Sequence, residues 1–142
     1  MSPEAYKIGA DAVLVAHAAY VAFVVGGQLL ILAGWLRGWR WTRNPWFRWI
    51  HAAAIVLVVL ESWFGVVCPL TAIEGSLRAS AGQAHHDLGF IAYWVQRLLF
   101  YSAPAWVFAA LYSIFGLLVL ASLMLYPPRR NIGWKHRSKN AE

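Results

Sequence analysis

Charge is what this chain has least of. Only 13% of its 142 residues are Asp, Glu, Lys or Arg, against 61% hydrophobic. A soluble domain of this length needs roughly a quarter of its residues charged to cover its surface, so the solvent for most of this chain is a bilayer. Cysteine is nearly absent too. A single Cys68 excludes an intrachain disulfide and a four-cysteine zinc site. No positive n-region precedes the first apolar run, because Glu4 and Asp11 offset Lys7, and the run is too long for the core of a signal peptide. The first segment is therefore expected to stay in the mature protein. No internal repeat or low-complexity tract is visible.

What remains is apolar, aromatic and basic, with nine Trp and a formal net charge of +6. The basic residues gather beside apolar runs, the pattern of cytoplasmic Lys and Arg anchoring and not of nucleic-acid binding. The first run, about 11–35, is long enough to cross the roughly 20 residues of a hydrocarbon core. Arg37, Arg40 and Arg43 follow in a loop, and Arg48 stands at the foot of the second run, about 46–67. That run is expected to stop at Pro69, which cannot continue a helix. A third covers about 103–126, before the basic tail 127–142.

The segment 89–101 carries Gln96 and Arg97 and is short for a crossing. If it stays on one side, the Arg-rich loop and the tail, with Arg129, Arg130, Lys135, Arg137 and Lys139, share one compartment, as the positive-inside rule prefers. The expected architecture is an all-α membrane protein forming a single membrane domain. It has three transmembrane helices, an outer cap and a short interfacial or partly inserted helix over about 69–101, the N-terminus outside and the C-terminus cytoplasmic. A four-helix membrane bundle is the alternative. Trp35, Trp39, Trp41, Trp46 and Trp49 crowd the inner boundary, and Trp63, Trp94 and Trp106 the outer one, as an aromatic belt. Ala18, Ala22 and Gly26, and likewise Ala105, Ala109 and Ser113, recur at every fourth position, the spacing that lets membrane helices approach closely.

Polar residues inside the apolar runs are costly and mark structure or function. If the first two runs form an antiparallel hairpin turning near residue 39, facing residues have numbers summing to about 78. His17 then meets Glu61, and Gln28 meets His51. At 100° per residue His17 and Gln28 lie within about 20° of each other. An unpaired carboxylate in hydrocarbon costs several kcal/mol, so a His17–Glu61 hydrogen bond or ion pair is expected. It serves either to lock two helices or as the floor of a site.

Cys68, His85, His86 and Asp87 stand above that pair, a set rich in metal-ligand types but without a metal-binding spacing such as HExxH or paired His at i, i+4. Haem b or a metal is open as a cofactor, and no catalytic residue is assigned. His17 and His51 cannot share a haem, since their levels differ by roughly 15 Å at 1.5 Å per residue. After Pro69, Thr71 is expected to cap a short helix with Glu74 completing a capping box. Leu77 is expected to face the membrane, Arg78 to reach Glu74 at i, i+4 or a lipid phosphate, and Gly82 to end the turn.

The string Glu61, Trp63, Cys68-Pro69-Leu70-Thr71, Glu74, Leu77-Arg78, Gly82 and Phe90-Ile91 resembles a group of small bacterial membrane proteins catalogued only as a domain of unknown function. With the apolar hairpin and its early His, the likeness covers about 11–126. It departs after Phe90-Ile91, where Ala92 and Tyr93 stand in place of the acidic and His residues expected of many members. The resemblance implies a bacterial inner membrane protein and supplies no activity. Three functions are open on this reading. One is a non-catalytic subunit that docks against other membrane protein subunits among membrane lipids. Another is a protein holding haem, metal, quinone or lipid at an outer-side His/Glu site. The third is an enzyme or proton-coupled carrier using Glu61 and Cys68. No nucleic-acid partner is expected.

Overall fold

The computed structural model describes residues 2–83, 93, 94, 97 and 104–129. Among them every regular element is helical: α1 (Pro3–Arg37), a single 3-10 turn (Trp41–Arg43), α2 (Pro45–Trp63), α3 (Pro69–Ser80) and α4 (Ala105–Leu125). Three of these, α1, α2 and α4, are long and apolar enough to cross a membrane. The protein is thus an all-α membrane protein with three candidate spans. Tyr93, Trp94 and Arg97 are helical; the rest of the expected interfacial segment 89–101, and with it the choice between three and four crossings, lies outside the described residues.

Each helix starts where local chemistry favours it. Ser2 accepts from the Ala5 amide, and Asn44 from the Trp46 amide, at the starts of α1 and α2. Both helices have Pro in the first turn, where the missing N–H costs nothing. α2 ends at Trp63, earlier than expected. Gly65 takes φ 64°, and the Val66 amide folds back onto the Glu61 carbonyl at 2.9 Å. That reversal depends on a left-handed residue, which glycine supplies without strain.

Pro69 therefore opens α3 instead of ending α2. With Pro69 as the first helical residue and Cys68 as the cap, Thr71 falls inside the first turn and the expected capping box does not form. At the other end the expectation for Gly82 holds. Its φ is 70°, its amide bonds Ala79, and the Gln83 amide bonds Arg78, closing α3.

α1 is 35 residues long, about 52 Å at 1.5 Å per residue, against about 30 Å of hydrocarbon. α2 and α4, with 19 and 21 residues, match the hydrocarbon closely. The surplus first half of α1 is covered by α3, while α2 packs mainly along α4. Leu77 lies over Gly9 of α1; it turns toward the neighbouring helix and not toward lipid, because α3 runs alongside α1. The core is small: Val24, Ala52, Ile55 and Val119 are buried, with Phe23, Val59, Phe115 and Leu123 against them.

Close helix approach occurs at other small residues than the fourfold stripes. A Cβ on Gly27 would meet the His51 ring at 2.8 Å, and one on Gly34 would collide with Thr42. The Ala18–Ala22–Gly26 stripe instead faces away. Ala18 and Ala22 are exposed, and a Cβ on Gly26 would meet nothing within 4 Å. The reason is register: the buried positions Ala10, His17, Val24 and Ile31 repeat every seven residues and set which face turns inward.

Gly27→Ala is accordingly expected to lower stability by about 1–3 kcal/mol through overpacking, read as an earlier midpoint in denaturant unfolding in micelles. Gly26→Ala, with open space and better helix propensity, should leave the midpoint unchanged or raise it.

Candidate functional site

Two polar clusters lie at opposite ends of the bundle. At the acidic end, α3 brings its charges onto α1. Arg78 donates to Glu74 at 2.8 Å, the i, i+4 contact anticipated from sequence, and also to Asp11 of α1 at 3.2 Å and to the Gln83 side chain at 3.2 Å. The salt bridge to Asp11 ties α3 to α1. The Glu74 carboxylate holds the Arg78 pKa above its ordinary value, with Asp11 adding to the effect. A raised folded-state pKa means that this contribution is complete below the ordinary arginine value and is lost only above it. On the Arg78 side the tie therefore persists at every pH a cell meets.

His17 is buried where α3 crosses α1, and the Glu74 charge acts on it. Glu61 sits in the last turn of α2, and its side chain reaches Cys68. Tyr20, whose hydroxyl donates to the Ala54 carbonyl at 2.7 Å, feels both Glu61 and Cys68. Along this half α3 covers α1, the Glu74 charge acts on His17, and Glu61 reaches Cys68. Burial, followed by the nearby Glu61, pushes the Cys68 thiol above its ordinary range, so it is a poor nucleophile at neutral pH. His85, His86 and Asp87 lie outside the described residues. Among the described residues no three His, Cys, Asp or Glu side chains come together in a way that would hold a metal ion.

At the basic end His51 and Gln28, set opposite each other in the sequence reading, are both buried but take different partners. His51 donates from Nε2 to the Val24 carbonyl at 2.7 Å, since a carbonyl only accepts, and its ring lies against the Gly27 backbone. Phe47 stacks on His51, and Phe23 meets it edge-on. Gln28 joins the layer through the Ser122 hydroxyl of α4.

The residue that sequence reasoning assigned to the wrong environment is Arg48. It was expected as an anchoring cation at the boundary, but it is 1% exposed and donates to the carbonyls of Ser122 and Tyr126 at the C-terminal end of α4. The signal was available. Arg48, His51, Ala52 and Ile55 fall at i, i+3, i+4 and i+7, the spacing of a buried face. Around it, Tyr126 donates to the Trp39 carbonyl, Arg43 to the Pro127 carbonyl, and the Arg129 amide to the Arg43 carbonyl. Trp35 stacks on Tyr126, and Trp41, Trp46 and Trp49 are exposed around this end.

A shallow groove of about 570 Å³ opens between the end of α2 and the start of α4. Its floor is Ala105, Ala109 and Ser113, the second small-residue stripe, and its walls include Trp63 and Trp106. The Trp63 indole donates to Ser113 at 2.9 Å and fixes one wall.

A family model described as "Protein of Unknown function (DUF2784)" matches residues 7–128, and the chain belongs to that family. No curated protein and no solved structure matches it.

Two measurements follow. Cys68 is expected to react with iodoacetamide at neutral pH more slowly in folded protein than in denaturant. Arg78→Gln, by releasing α3 from Asp11, should raise that rate several-fold; an unchanged rate would mean that the salt bridge does not hold α3 over α1.

Proposed function

We propose that the protein is a small polytopic component of the bacterial cytoplasmic membrane, working as a non-catalytic, partner-binding subunit of a larger membrane complex. In this reading the acidic end lies outside and the basic end faces the cytoplasm, because Arg37, Arg40, Arg43 and Arg129 cluster at one boundary. The observation that carries the proposal is the disposition of small residues. Among the described residues the stripe on α1 is uncovered, and the second, bonded at Ser113 by the Trp63 indole, forms the floor of the α2–α4 groove. Small-residue stripes are how membrane helices approach each other. The polar groups described in the two clusters bond mainly within the chain, which supports a structural role for them.

A ligand-binding role is the second reading, favoured by the meeting of Glu61, Cys68 and Tyr20 at the acidic end. A haem, quinone or lipid held there would be lost on Glu61→Gln. For haem, the absorption spectrum of extracted protein before and after dithionite decides between the two readings.

The subunit proposal is tested by position. A photo-crosslinking residue at Ala22 or Ala110 should give discrete protein adducts in membranes. One at Met124, 83% exposed at the far end of α4, should give only lipid adducts. Absence of adducts at both small-residue positions, or the same adducts at Met124, would remove the proposal.

A further inference from the structure

The basic end holds more positive charge than the described chain balances. Arg37, Arg40, Arg43, Arg48 and Arg129 meet there, whereas the described acids Glu4, Asp11, Glu61 and Glu74 all belong to the opposite end, on the first half of α1, the last turn of α2 and α3. Two of these arginines share one aromatic ring. The guanidinium carbon of Arg43 lies 4.8 Å from the Tyr126 centroid and that of Arg48 lies 6.0 Å from it, so two like charges gather at one ring.

Ring contacts offset part of the repulsion, and the α4 carbonyls take one nitrogen of Arg48. Its Nε and Nη1 are buried with no hydrogen-bond partner among the described residues, and so is Nε2 of the neighbouring Gln28. All three nitrogens carry N–H groups and only donate. A buried cation in this condition calls for an oxygen-rich anion, and guanidinium pairs match phosphate geometry best.

We propose that the basic end is a phosphate-binding site, with Arg48 as its buried anchor and the half-buried Arg43 as its outer guanidinium. An anionic phospholipid headgroup and free phosphate present the same oxygens to this site. Its depth is that of a headgroup. Arg48 lies one turn into α2 and its guanidinium reaches the end of α4, and the exposed indoles of Trp41, Trp46 and Trp49 surround this boundary. Gln28, one layer deeper, accepts from the hydroxyl of Ser122, whose carbonyl Arg48 bonds.

The test uses the full chain in zwitterionic micelles. Its unfolding midpoint is followed while phosphatidylglycerol, phosphatidylcholine or inorganic phosphate is added at constant ionic strength. Phosphatidylglycerol is expected to raise the midpoint saturably, and phosphatidylcholine is not. Because Arg48→Gln risks misfolding, the informative variant is Arg43→Gln, which keeps the buried anchor. It should weaken half-saturation about tenfold, as expected for loss of a charge-assisted bond. Arg40→Gln, an exposed arginine of the same loop, should change it by about twofold or less.

A response to inorganic phosphate as well would identify a free-phosphate site, and a response to phosphatidylglycerol alone a lipid site. The proposal is overturned if neither raises the midpoint, if phosphatidylcholine is equally effective, or if Arg40→Gln weakens binding as much as Arg43→Gln.

Discussion

Arg48 reaches across from the first turns of α2 to the last carbonyls of α4, and the arrangement of the basic end follows from that contact. A guanidinium buried in an apolar bundle is costly unless its N–H groups find acceptors. The C-terminal end of a helix supplies them, with free carbonyls and the negative pole of its dipole. Once Arg48 is fixed there, α2 must run beside α4. His51, three residues on, then faces α1 and bonds the Val24 carbonyl. Only glycine at 27 leaves room for that imidazole. Charge, helix end and missing side chain thus make one constraint.

The opposite end follows from length. α1 outruns the hydrocarbon by roughly two-thirds, and its extra turns need a cover. α3 provides it, with Leu77 over Gly9 and Arg78 on Asp11. The cost of Glu61 is correspondingly smaller than an intramembrane carboxylate would incur. It lies one turn from the end of a helix that just spans the hydrocarbon, where a polar surrounding is at hand. The described acids thus lie at one end of the bundle and the cluster Arg37, Arg40, Arg43, Arg48 and Arg129 at the other, with an apolar middle between them.

How much of this was legible depended on range. The three spans followed from composition, since crossing length is a one-dimensional property. Hairpin register set Gln28 opposite His51, and both are buried near the turn. Yet His51 bonds the Val24 carbonyl and Gln28 the Ser122 hydroxyl of α4, a helix that register arithmetic between the first two spans does not include. Farther out α3 packs along α1, with Leu77 over Gly9, a contact that no local pattern announces. The capping box at Thr71 was lost to a competing local rule, as Pro69 is pre-organised for the first helical position. Arg48 was read by its type, although its spacing from His51 and Ile55 already put it on the buried face.

The most direct test of the account is the mass of the assembly when membranes are dissolved into polymer-bounded lipid discs without detergent. A partner-binding subunit should be recovered in particles whose protein mass exceeds that of the single 15.9 kDa chain, with a fixed stoichiometry of components. Recovery as a lone chain in every disc would contradict the claim that its open small-residue faces exist to be covered by another protein.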